Sequence, residues 1–139
     1  MDPWQFLIVA EQLRDADLEA GRRSSISRSY YAAFNEIVAS LREHQVTLPQ
    51  RDAHEKLCRC LTGTGHQALV LIAEHLRWLR LNRVAADYDM AANPDAFSTI
   101  ETARALGRAR KIRQQFISVG VDTAAGLLRD YLRRTGQMP

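Results

Sequence analysis

The sequence is poor in the features that most readily give a small protein away. No stretch approaches the roughly 18–20 apolar residues needed to span a bilayer, so no membrane association is expected. The opening MDPWQFLIVA carries an aspartate and no basic leader, which is wrong for a secretory signal, and the expected location is the cytoplasm. There are only two cysteines, Cys58 and Cys60. On a helix they point about 200° apart, so neither a mutual disulfide nor a shared metal is expected. The TGTG at 62–65 lacks the preceding strand and following lysine of a phosphate loop. The four histidines, His44, His54, His66 and His75, share no turn, and no HExxH occurs, so no metal and no cofactor are expected. Each reads as a surface or capping residue.

What is present is an ordinary globular chain. Apolar residues at 46% and charged residues at 25% exclude disorder and a fibre, and 139 residues suit one domain. The net charge of +3 is unevenly placed. Residues 1–100 hold 11 Lys/Arg against 13 Asp/Glu, whereas 101–139 hold 8 against 3. Only Lys56 and Lys111 are lysines, and arginine's planar fork suits phosphate and carboxylate. This permits an acidic partner without requiring one.

Helical spacing runs throughout. Asp2, Pro3 and Gln5 read as a capped helix start, followed by Phe6, Val9, Ala10, Leu13, Ala16 and Ala20 on one stripe, with Gly21 as the stop. A second helix is expected from about Ser24 to Glu43, with Ile26, Tyr30, Ala33, Phe34, Ile37 and Leu41 inward. Tyr31 and Val38 widen that stripe, which predicts more than one packing neighbour. A shorter helix from Asp52 carries Leu57 and Leu61. The stretch from His66 to Met90 places Leu69, Ile72, Leu76 and Leu79 on one face, and Arg83 where that face wants an apolar residue. Ser98 and Glu101 form a second capping box ahead of Ala105, Ala109, Ile112 and Phe116, and a last helix follows Asp122. No stretch alternates with a period of two. The expected fold is an all-α antiparallel bundle of five to six helices.

Two segments break the bundle's plain pattern: SISRSYYAAF at 25–34 and LRWLRLNRVAADYDM at 76–90. Together they resemble the HEPN (higher eukaryotes and prokaryotes nucleotide-binding) family, especially its small stand-alone prokaryotic members. Ser27, Arg28, Tyr30, Tyr31, Ala32 and Phe34 match a Ser-Arg-x-Tyr-Tyr-Ala-x-Phe helix, and Arg83 with Ala86, Asp87 and Tyr88 match a later arginine and Ala-Asp-Tyr. The likeness covers roughly 4–117. It implies a helical bundle over 1–117, with 118–139 an extra basic C-terminal helix packed on or extending from it. It further implies that Ser27, Arg28 and Tyr31 face Arg83, Asp87 and Tyr88, with Asp87 the partner of Arg28 or Arg83.

Many proteins of this kind resemble one another as metal-independent ribonucleases. Their motif is an arginine followed after about four to six residues by a histidine that shuttles the 2′-hydroxyl proton. Here Val84 follows Arg83, and no histidine occurs after His75. Arg59 and His66 match numerically but run through Gly63-Thr64-Gly65, off any continuous helix face. The reading favoured by resemblance is an RNA- or nucleotide-associated component of a toxin–antitoxin or phage-defence system. It would act as a homodimer beside a nucleotidyltransferase or antitoxin. Phosphate would be held by Arg28, Arg83 and the basic stretch 104–113, in which Arg104, Arg108 and Lys111 share one side. The alternatives are a ribonuclease toxin using Arg83 with Tyr88, or Arg59 with His66, and a structural or adaptor bundle.

Overall fold

A computed structural model describes residues 1–139 and contains helices and turns but no strand. In chain order the helices are α1 (Gln5–Leu13), α2 (Glu19–Glu43), α3 (Ala53–Gly63), α4 (Gln67–Tyr88), α5 (Thr99–Val119) and α6 (Val121–Arg134). A 3-10 turn, Pro94–Phe97, leads into α5. The expected all-α bundle is what forms. No helix is long and apolar enough to cross a membrane.

At 25 residues, α2 is long enough to serve several partners, and it packs against α1, α4 and α5. Its widened stripe has that cause. Ile26, Tyr30, Ala33, Ile37 and Leu41 are buried against Leu69, Ile72, Leu76 and Leu79 of α4 and Ala105, Ala109 and Ile112 of α5. Each fully buried Leu or Ile contributes about 1.5–3 kcal/mol by leaving water. Cys58 and Cys60 are both buried and free. Ser98 caps α5 as its spacing predicts, accepting from the Glu101 N–H at 3.4 Å.

The N-terminal expectation needs correcting. Instead of one helix reaching Ala20, α1 stops at Leu13, and α2 starts at Glu19, ahead of Ser24. Arg22 holds the intervening turn: its Nη1 donates to the carbonyls of Ala16 (2.7 Å) and Asp17 (2.9 Å), and its Nε to that of Phe97 (2.8 Å). Gly21 is therefore no helix stop. It lies inside α2, where a Cβ would come within 2.6 Å of the Ala16 Cβ, so it lets the turn close against the helix. The turn also re-aims the apolar stripe: Leu7 and Ala10 are buried, while Val9 and Ala20 face solvent.

Gly120, at φ +87°, separates α5 from α6 in a conformation that a side chain disfavours. The reversal lays α6 on α3 and α5, with Ala124, Ala125, Leu128 and Leu132 joining the common core. Arg129 donates to the His44 carbonyl at 2.5 Å, and Tyr131 lies flat against Gly63.

Two glycines test this docking with opposite signs. In Gly63→Ala the new Cβ runs into the Tyr131 ring, and a loss of about 1–3 kcal/mol is expected from overpacking. In Gly126→Ala the Cβ meets nothing, and a gain of about 0.5–1 kcal/mol is expected from helix propensity. Denaturant melts of the two variants check both signs.

Candidate functional site

The site is built where the C-terminal half of α4 meets α2. Arg83 projects from the buried side of α4, and its side chain is only 16% exposed. Such a cation is tolerable only when paired. Its Nη1 lies 3.7 Å from Asp87 Oδ2, one turn along the same helix, and that oxygen also accepts from Ser27 Oγ at 3.2 Å. The guanidinium lies over the rings of Tyr31 (5.1 Å), Tyr30 (5.5 Å) and Tyr88 (6.0 Å), whose π faces further offset its desolvation. The Nε of Arg83 is buried and has no acceptor. Tyr88 stands largely in solvent at the mouth, and Tyr31 is half-buried between Arg83 and Phe6.

The structure thus brings together Ser27, Tyr31, Arg83, Asp87 and Tyr88. Arg28 is a correction. It is exposed and lies 5.5 Å over Phe6 of α1, and the partner of Asp87 is Arg83. Adjacent residues of a helix point about 100° apart, so Arg28 cannot share the face that Ser27 presents to α4.

Behind Tyr30 lies a chain of neutral groups that the sequence did not announce. The Tyr30 hydroxyl is 2.9 Å from His54 Nδ1, and His54 Nε2 is 3.6 Å from Cys58 Sγ. The thiol in turn lies 3.9 Å from the Ala73 carbonyl. Burial raises the Tyr30 phenol well above its usual range and pushes the Cys58 thiol up to about 11. Burial, then the positive charges of Arg80, Arg77 and Arg83, bring His54 down to about 4. All three are neutral near pH 7, and the thiol's one proton goes to the Ala73 carbonyl, so Nε2–H donates to sulfur and Tyr30 donates to Nδ1. Both ring nitrogens of the imidazole behind Arg83 are therefore occupied. Phe34 stacks on Tyr30 at 5.5 Å and closes the nest.

Arg23 was also missed. It is buried, lies 4.0 Å over Phe97, and donates through Nη1 to the carbonyls of Ala86 (3.2 Å) and Asp89 (2.9 Å). Its Nε reaches Glu19 at 3.1 Å. It caps the C-terminal end of α4, whose last turn has no basic residue of its own. The available signal was its place one turn ahead of Ser27.

Arg59 and His66 are not brought into one site. Arg59 is exposed beside Glu55 at 3.8 Å, His66 occupies the N-cap of α4, and no hydrogen bond joins them. Arg104 and Arg108 lie elsewhere again, on α5. Arg104 is exposed and bonded to Glu101 at 2.6 Å, while Arg108 packs 4.3 Å over Trp78 and donates to His75 Nδ1 at 3.2 Å. Of the other basic residues there, Arg110 pairs with Glu11 and Arg113 lies 4.8 Å over Trp4.

The neutral chain makes stability depend on pH. His54 titrates near 6.5 when unfolded and near 4 when folded, so the unfolded state binds the extra proton between those values. Its contribution is complete above about pH 6.5 and is lost as pH falls toward 4. Melting temperature measured from pH 7 to 4.5 should fall more steeply in the wild type than in His54→Gln. Parallel slopes would show that His54 is not held neutral.

The family model for the HEPN domain matches residues 5–118 of the 139-residue chain. Neither curated proteins nor solved structures give a match. The matched span takes in α1 through all but the last residue of α5, and with them the whole α2–α4 site. Membership supports a nucleotide- or RNA-associated role at the level of the family. The chain belongs to the HEPN domain family.

Proposed function

We propose that the α2–α4 site holds a phosphate group of RNA or of a nucleotide without cleaving it. The protein would do so as a homodimer, within a toxin–antitoxin or phage-defence system and beside a nucleotidyltransferase or antitoxin. The observation that carries this reading is the half-satisfied Arg83. Its Nε lacks an acceptor, its single carboxylate partner is 3.7 Å away, and the exposed Tyr88 phenol stands beside it. An oxyanion at the mouth would complete that guanidinium, since arginine presents a planar fork to phosphate oxygens.

Cleavage without a metal needs a group that accepts the 2′-hydroxyl proton. His54 is the imidazole linked to Arg83 through the Tyr30 side chain, and Tyr30 and Cys58 engage both of its nitrogens. Tyr88 has no base hydrogen-bonded to it. This favours binding over ribonuclease action. The homodimer is supported by an unpartnered stripe on α4. Leu81 (73% exposed), Val84 (37%) and Tyr88 (72%) fall at helical spacing on one side. Burying them against a second copy would bring two Arg83 sites toward each other.

The test is RNA incubation in EDTA with wild type, Arg83→Ala and His66→Ala, followed by binding titrations over a range of salt. No cleavage is expected from any of the three. Wild-type binding should weaken steeply with salt, and Arg83→Ala should weaken it further, by about 1.5–3 kcal/mol for a charge-assisted contact. Cleavage that persists in wild type and vanishes in one variant would replace this reading with a ribonuclease. For the dimer, sedimentation should give twice the chain mass in wild type and the single mass in Val84→Asp.

A further inference from the structure

The α5-facing side of α4 carries a second constellation that the α2–α4 site does not use. Where α4 packs on α5, a cleft of about 300 Å³ is lined by His75, Arg104, Gly107, Arg108 and Lys111. No carboxylate and no apolar side chain belongs to that lining. Arg104, Arg108 and Lys111 recur at i, i+4 and i+7 on α5, so they share one face. Gly107 lies among them, and a Cβ there would meet nothing within 4 Å, so the helix backbone forms an open floor.

We infer that this cleft between α4 and α5 is a binding site for a phosphate monoester, separate from the Arg83 site. Its central cation is oriented in advance but not neutralised. Arg108 is fixed by the Trp78 ring at 4.3 Å and by His75 Nδ1 at 3.2 Å, and neither partner carries negative charge. Fixing a guanidinium on uncharged partners leaves its remaining N–H groups to an incoming anion. Lys111 likewise has no carboxylate partner, and Arg104 alone is paired, with Glu101 on the exposed rim. Because His75 accepts from Arg108 at Nδ1, its ring proton sits on Nε2, and the imidazole adds a donor. Burial, and then Arg108 and Lys111, hold its pKa below the usual value against the opposing pull of Glu74, so that tautomer persists near neutral pH.

Several cationic groups converging on one small cleft suit an anion with three terminal oxygens and two charges. A phosphodiester offers only two such oxygens and one charge. The chemical class is therefore a terminal phosphate, free or carried on a nucleotide or RNA end.

Calorimetric titration at low ionic strength tests this with methyl phosphate and dimethyl phosphate, using wild type, Gly107→Leu, Lys111→Gln and Arg83→Ala. Gly107→Leu fills the cleft while keeping every charge, and it places a good helix former at an open helical position, so it should fold at least as well. Methyl phosphate should bind wild type at one site per chain and at least tenfold more tightly than dimethyl phosphate. Gly107→Leu and Lys111→Gln should each weaken it tenfold or more, and Arg83→Ala should leave it unchanged. Equal affinity for the two esters would overturn the monoester assignment. Unchanged binding in Gly107→Leu would reduce the cleft to a diffuse basic face. No binding in wild type, or loss confined to Arg83→Ala, would remove the second site, the latter result leaving the α2–α4 reading standing.

Discussion

The position of α4 relative to α2 depends on a hydrogen-bonded cation at their crossing. Helix C-termini leave carbonyls without partners, and α4 ends in Ala86, Asp87 and Tyr88, followed by Asp89 as its C-cap, with no basic residue in its last turn to cover them. Arg23 reaches across from α2, donates to the Ala86 and Asp89 carbonyls, and is itself steadied by Glu19 and the Phe97 ring. One buried side chain thereby ties α2, the end of α4 and the turn before α5. Losing it would strand carbonyls at about 1–3 kcal/mol each. The α2–α4 site lies one turn further along α2, so Ser27 meets Asp87 because Arg23 has already set that end of α4.

Around this anchor the protein sorts its polar groups by charge. Tyr30, His54 and Cys58 are kept neutral by burial and satisfy one another in a line ending on the Ala73 carbonyl. Their neutrality matters to Arg83. A phenolate at Tyr30 would pair with the guanidinium and remove its capacity for an outside anion. A protonated imidazole would repel it. The cations stand instead beside α4, Arg83 where it meets α2 and Arg108 of α5 against Trp78. Each is held against an aromatic face, which orients the charge without cancelling it. The two flanks differ in their second partner: a carboxylate at 3.7 Å limits Arg83, whereas a neutral imidazole leaves Arg108 uncompensated.

By itself the sequence determined an all-α bundle of five to six helices and most of its inward faces, because a period near 3.6 in apolar residues leaves a helix few ways to bury them. The family resemblance implied that Ser27 and Tyr31 of α2 face Arg83, Asp87 and Tyr88 of α4, and the structure contains those contacts. The tertiary structure alone decided which arginine joins them. Arg28 and Arg83 both sat in the motifs, but one residue's rotation along α2 turns Arg28 toward α1. It likewise decided that Gly21 admits a tight turn rather than ending a helix, because the chain folds back to bring the Ala16 methyl, five residues earlier, against it. His54 and His75 carried no local signal, because their roles come from contacts with residues 24 and 33 positions away in the chain. Periodicity reports which side of a helix is buried; it cannot report what stands opposite, and the chemistry of both flanks of α4 is set by what stands opposite.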